Sequence, residues 1–323
     1  MLAKTVKERT MGTAMMREVF CDTMIAMAQE DPRVYALDAD LIGASGMQPF
    51  RAKFPDRMIE CGIQEANMIG VAAGLAATGK RPYAHSFATF ASRRVMDQAF
   101  VSSAYAKLPI TIVGSDPGVA AAFNGGTHMP FEDMAAMRAI PQTVLVEPCD
   151  YVSLRALLPL INDLDQLCYL RLYRKPVPNV YDEGATFTIG KANCLKDGND
   201  VAIIASGIMV SMAMDAAALL EEAGIHAAVI DMHTWKPLDE EMISRYAASA
   251  GAFVVAENHN TLCGLGAAVA DATSKLCPVP VEKIGVNDSF GEVGEEGYLR
   301  QRFHLTADAI AQAAKRAVAR KKA

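Results

Sequence analysis

Residues 65–87 read EANMIGVAAGLAATGKRPYAHSF: one acid, an uncharged run, a glycine stop and a short apolar segment. Met68 to Ala77 carries no charge, so its helical period predicts a helix buried on nearly every side, with Glu65 at its mouth where a carboxylate is costly. RPYAHSF (81–87) predicts the strand that follows. The same alternation recurs outward from this stretch. RVYALDAD (33–40), PITIVGSD (109–116), QTVLVEP (142–148) and CYLRLYR (168–174) predict strands. TAMMREVFCDTMIAMAQE (13–30), RRVMDQAFVSSAYA (93–106) and DYVSLRALLPLIND (150–163) predict helices between them. A polar segment from Lys175 to Asp200, with Pro176, Pro178 and Gly184, leads to a second series. Its strands are DVAIIASG (200–207), HAAVIDMH (226–233), GAFVVAEN (251–258) and VPVEKIG (279–285). The expected fold is α/β: two three-layer domains with mostly parallel sheets, spanning 1–184 and 185–323.

Composition narrows the class. The 323 residues are 51% hydrophobic, enough for a large core, and 21% charged with a formal net charge of -6. That balance argues against a nucleic-acid surface, which needs a basic stripe. The one basic run, AKRAVARKKA (314–323), reads as a solvated helix tail. Seven scattered cysteines without C-x-x-C spacing predict a reducing, cytoplasmic compartment with neither disulfide framework nor zinc site. MLAKTVKERTMG lacks the apolar centre of a signal peptide, and Met68 to Ala77 is too short to span a bilayer, so no membrane association is expected.

No phosphate-loop, zinc-protease or nucleophile-elbow motif occurs. CGLGAAVA (263–270) approaches a dinucleotide fingerprint but has Val269 where the third small residue belongs. It reads either as a nucleotide site or as a glycine-opened helix N-terminus able to hold an anion. Four loops follow or precede first-series strands, at the ends where open α/β sheets bind ligands: DADLIGASG (38–46), CGIQE (61–65), HSFATFASRR (85–94) and NGGTHMPFED (124–133). They offer one carboxylate beside apolar surface, two phenylalanines three apart, an arginine three further on, and a histidine in a Gly-rich loop.

GIQEANMIGVAAGLAATG, SFATFASRRVMDQ, NGGTHMPFEDMAAMRAIP, HTWKPLD and VVAENHNTLCGLG together resemble the carboxyl-terminal half of transketolases: a pyrimidine-binding domain followed by the family's C-terminal domain. The resemblance implies thiamine diphosphate as cofactor. It gives Glu65 the contact to the aminopyrimidine ring nitrogen, a catalytic role that requires an acid able to share a proton near neutral pH. Without it, Glu65 is a first-turn acid serving the helix dipole. Phe87 and Phe90 match the aromatics around that ring, or are core residues at i, i+3. Arg93 is either a cofactor-edge contact or a surface ion pair. Ile63 and Leu41 match hydrophobic residues that hold the cofactor bent, and Asp40 an acid beside them with a direct or a structural role.

His128 resembles the histidine that contacts substrate oxygens, a second catalytic role. Asn124 falls where transketolases read a substrate hydroxyl with an aspartate. Arg174 matches an arginine that binds the sugar phosphate, with Arg171 the competing choice. Two departures stand out: GTAMMREVF has no arginine at the expected place of the phosphate site, and Asp116 replaces a histidine. The family's diphosphate-binding domain is also missing, and KDGND (196–200) does not supply its motif. The resemblance therefore implies a split transketolase subunit that transfers a two-carbon ketol group between sugar phosphates. Its site would be completed by a partner subunit holding the diphosphate and Mg2+ or Ca2+, as an α2β2 assembly with a homodimer contact through the pyrimidine domain. No metal is expected on this chain. The rivals are a deoxyxylulose-phosphate-synthase-like or 2-oxoacid-dehydrogenase beta-like subunit, and a non-catalytic scaffold.

Overall fold

Strands covered by helices on both faces are mostly apolar, and the runs predicted for the first series are. The computed structural model describes residues 2–321. It contains β1 (Val34–Asp38), β2 (Met58–Glu60), β3 (Arg81–Phe87), β4 (Thr111–Ser115), β5 (Val144–Val146) and β6 (Cys168–Leu172). The second series contains β7 (Asn193–Lys196), β8 (Val201–Ala205), β9 (Ala227–Asp231), β10 (Thr234–Lys236), β11 (Phe253–Asn260) and β12 (Val281–Val286). Every residue of β4, β5, β6, β8 and β9 is buried. The sheets run β10-β5-β6-β4-β3-β1-β2 and β12-β11-β8-β9-β7. Among the strand pairs of the described residues, β10 against β5 and β7 against β9 are antiparallel and the others parallel. Helices cover both, so the fold is two layered α/β units, as expected.

Three strands lie outside the sequence expectation. β2 and β7 are short and only partly buried. β10 leaves its own series and adds to the first sheet, where Thr234 pairs with Val146 and the Glu147 N–H donates to the His233 carbonyl at 2.9 Å. The two halves are thus joined through a shared sheet. The linker is held as well: the Asp150 side chain, in a capping box at the start of helix Tyr151–Asn162, also accepts the Val180 and Tyr181 N–H groups at 2.9 and 2.8 Å.

Helix Glu65–Ala77 departs from expectation on one face. Met68, Ile69, Ala72, Ala73 and Ala76 are buried, but Asn67, Gly70, Gly74 and Ala77 face outward along one stripe of the isolated chain. Phe100, Val101 and Tyr105, on the neighbouring helical segment Ala99–Tyr105, are exposed too. No helix among the described residues is long and apolar enough to cross a membrane. The basic tail belongs to helix Ala307–Arg320, and its residues 322 and 323 lie outside the described residues, as does Met1.

Asp231, at the end of β9, is fully buried. The Tyr181 hydroxyl donates to its Oδ2 at 2.7 Å, and its Oδ1 has no hydrogen-bond partner among the described residues. Burial pushes its carboxyl up from 3.8 to about 8. The folded chain therefore keeps a proton that the unfolded chain releases, so this group's contribution is full below pH 3.8 and is lost as pH rises through about 8. His233 and His259, both pushed down by burial to about 4, act oppositely and add stability as pH rises from about 4 to 6.5. Asp231→Asn is expected to match the wild type near about pH 3, where the acid is protonated in both states, and to gain several degrees in Tm by about pH 8. A thermal-melt difference independent of pH would refute the buried acid.

Candidate functional site

Parallel strands deliver their loops to one edge. Phe87 pairs with Ser115, and Ser115 with Leu172, so the segments beginning at Ala88, Asp116 and Tyr173 leave the sheet side by side. The loop after β1 and the start of helix Glu65–Ala77 reach the same edge, because β1 runs parallel to β3.

Glu65 is 1% exposed. Its Oε1 accepts from the Ser86 hydroxyl at 3.3 Å, and its Oε2 from Arg94 Nη1 at 2.7 Å. A buried carboxylate requires such partners. Arg94 is half exposed, and its guanidinium stacks 4.1 Å from the centre of the Phe90 ring. The sequence did not single out Arg94. The two adjacent arginines diverge at the tight turn Arg93–Val95: Arg94 turns inward to Glu65, while Arg93 forms an ion pair with Glu132, Nε 3.1 Å from Oε1, and its Nη2 donates to the Thr127 carbonyl at 3.3 Å.

Phe87, Phe90 and His128 form an edge-to-face cluster. Ring centres are 6.5 Å apart for Phe87 and Phe90, 6.0 Å for Phe87 and His128, and 5.1 Å for Phe90 and His128. His128 ends the turn Gly126–His128, with Nδ1 3.0 Å from Thr127 Oγ1. Arg93, through Thr127 and Glu132, fastens this loop. On its other side Gly126 packs so closely on the Gly291 carbonyl that an added Cβ would lie 2.4 Å from it. Asn124 is exposed in the same loop, two residues after Ala122, whose φ of 46° is strained for an alanine.

Asp40 is exposed at φ 61° and donates its N–H to Glu60 Oε1 at 2.8 Å. The Gly62 N–H donates to the same oxygen at 2.8 Å, so one carboxylate fixes the loops carrying Leu41 and Ile63. Leu41 is half-buried, its N–H bonded to Asp38 Oδ1. Ile63 is 67% exposed, an apolar side chain held open at the mouth of helix Glu65–Ala77.

Arg171 and Arg174, the two alternatives for one role, have different fates. Arg171 is fully buried and bonds Asp133 through Nε and Nη2 (2.9 and 3.0 Å), Glu147 through Nη1 (2.8 Å) and the Asn258 carbonyl (2.9 Å). It has no access to a ligand. Arg174 reaches the site edge with its guanidinium 5.0 Å from the centre of the Phe87 ring. Its Nε bonds Asp116 Oδ2 at 2.8 Å.

The glycine-opened helix in CGLGAAVA already holds an anion, and that anion is internal. Glu257 accepts the Leu265 and Gly266 N–H groups at 2.6 and 2.9 Å, its carboxyl pushed up by burial to about 7. A Cβ on Gly264 would lie 1.8 Å from Glu257 Oε2. The end is filled, so the nucleotide alternative is set aside.

The transketolase pyrimidine-binding domain matches residues 12–179 and the transketolase C-terminal domain residues 190–310. The chain therefore belongs to the transketolase family. It is 49% identical to the 6-deoxy-6-sulfo-D-fructose transketolase subunit SqwH of Clostridium sp. (strain MSTE9), covering 95% of each chain. It is 38% identical to an apulose-4-phosphate transketolase subunit of Phocaeicola vulgatus, covering 84% of this chain and 87% of the relative. Among solved structures it matches a split-gene transketolase, described as an inactive beta4 tetramer, with a TM-score of 0.89 and 38% identity over 95% of this chain and 99% of the other.

Proposed function

We propose that this chain is the pyrimidine-binding subunit of a split transketolase that moves a two-carbon ketol unit from a ketose to an aldose. The observation that carries this reading is the buried Glu65, held by Ser86 and Arg94, beside the Phe87, Phe90 and His128 rings. These residues fit an aminopyrimidine: a carboxyl for its ring nitrogen, flat rings for its faces, and the open Ile63 with Leu41 as an apolar wall. Thiamine diphosphate supplies, when bound, a nucleophilic carbon that also stores the donor's electrons. Glu65 shares a proton with the ring nitrogen, Phe87 and Phe90 enclose the ring, and Arg93 and Asp40 hold the loops around it. His128 and Asn124 orient substrate oxygens, and Arg174 lies toward the far end of the sugar.

Among the described residues no group of three or more His, Cys, Asp or Glu is arranged to hold a metal ion. In this reading the divalent ion and the diphosphate belong to a partner subunit in an α2β2 assembly. The outward stripe of Gly70, Gly74 and Ala77, with Phe100, Val101 and Tyr105 beside it, supplies the homodimer contact. The seven free cysteines favour a reducing cytoplasm.

Co-purification with a diphosphate-binding partner, then assay on a panel of ketose donors, tests the reading. Turnover that requires thiamine diphosphate and both chains is expected, and this chain alone should be inactive. Tight cofactor binding by this chain alone would overturn the shared site, and carbon dioxide release from pyruvate would replace ketol transfer with a synthase-type condensation.

A further inference from the structure

Arg174 is already engaged. Its Nε and Nη2 both donate to Asp116 Oδ2, and its Nη1 to the Ala44 carbonyl at 3.1 Å. Arg17 joins the cluster from helix Met16–Glu30: its Nη1 donates to the same Ala44 carbonyl at 3.3 Å, and its N–H to the Arg174 carbonyl at 3.2 Å. Asp116 is 3% exposed and held at φ 53°, a left-handed conformation unusual outside glycine, with its N–H on the Leu172 carbonyl at 3.0 Å. The acid is therefore a fixed part of this corner.

Two guanidiniums and one carboxylate leave one uncompensated positive charge. The Nε/Nη2 edge of Arg174, a fork suited to two oxygens of a phosphate, is spent on Asp116. A phosphate monoester brings about 1.5 to 2 negative charges near neutral pH and would meet the Asp116 carboxylate as well. A sulfonate brings one charge and three acceptor oxygens, which Arg17 and the remaining donors of Arg174 can match. Resting on the transketolase reading above, we infer that Asp116 makes this corner select a ketose whose far carbon bears a monoanionic sulfonate over one bearing a phosphate.

The test uses the assembled complex with thiamine diphosphate. Binding, by calorimetry, and ketol transfer are measured for 6-deoxy-6-sulfo-D-fructose, D-fructose 6-phosphate and D-fructose. The wild type is expected to bind the sulfonate at least about tenfold more tightly than the phosphate, and Asp116→Asn to shrink that ratio by about tenfold or invert it. Arg17→Gln should lower sulfonate affinity toward that of D-fructose, and it decides the matter if Asp116→Asn fails to assemble. Equal or tighter phosphate binding by the wild type, a ratio unmoved by Asp116→Asn, or sulfonate affinity unmoved by Arg17→Gln would overturn the inference. Selective binding without any ketol transfer would instead defeat the transferase reading and leave the selectivity standing.

Discussion

Replacing Glu65 with alanine is expected to lower turnover of the assembled complex by about 10²–10⁴-fold, the range that positioned acid–base groups supply. Assembly should survive. Glu65 is buried, but its ionic partner Arg94 is half exposed and stacked on Phe90, so losing the carboxylate strands no buried cation. The Ser86 hydroxyl loses a partner, which costs about 1 kcal/mol. Glu65→Gln sharpens the test, because the amide keeps the shape and can accept from Ser86 but cannot share a proton. It should be nearly as inactive as the alanine variant. If anchoring Arg94 were the whole role, Arg94→Met would match Glu65→Ala in turnover. Wild-type rates in an assembled Glu65→Ala complex, checked by size-exclusion chromatography, would remove Glu65 from the mechanism.

How much of this was legible follows from what local sequence encodes. β3, β4, β6, β8, β9 and β11 could be read because strands covered on both faces carry runs of apolar, β-branched residues, even where polar residues such as His85, Arg171 and Glu257 interrupt or follow them. β10 could not: Thr234–Lys236 gains its identity from pairing with Val144–Val146, some ninety positions earlier in the chain. β2 and β7 are too short and too polar to announce themselves. At the site, Glu65, Phe87, Phe90 and His128 stand on segments whose strand ends could be placed, so their meeting at one edge followed from topology. Which of Arg93 and Arg94 faces Glu65 did not, since it depends on the phase of one tight turn. The resemblance grouped Arg174, Asp116 and the segment GTAMMREVF at one phosphate site without an arginine at the expected place, yet Arg17 of that segment enters the corner through the Ala44 and Arg174 carbonyls. Three chain segments meet there, and no spacing rule links them.

Arg171→Met carries the largest expected loss of stability, about 3–5 kcal/mol. The guanidinium makes four hydrogen bonds in complete burial, and it compensates two carboxylates, Asp133 and Glu147. Each acid has one further partner: the Tyr169 hydroxyl donates to Asp133 at 2.9 Å and the Ser206 hydroxyl to Glu147 at 2.6 Å. Ser206 and Asn258 belong to the second series, so the cluster fastens one half of the chain to the other. Methionine fills the volume but leaves both acids buried without a cation, and the expected fall in Tm is on the order of 5–10 °C. Adding Asp133→Asn and Glu147→Gln should recover part of the loss, because the penalty lies in the uncompensated charges rather than in a missing attraction. A loss under about 1 kcal/mol for Arg171→Met would mean that the acids take up protons at little cost. Arg174→Met provides the contrast. It leaves one nearly buried acid, Asp116, without its cation rather than two, so its loss of Tm should be the smaller, and in the proposed reading it should raise the KM for the sugar.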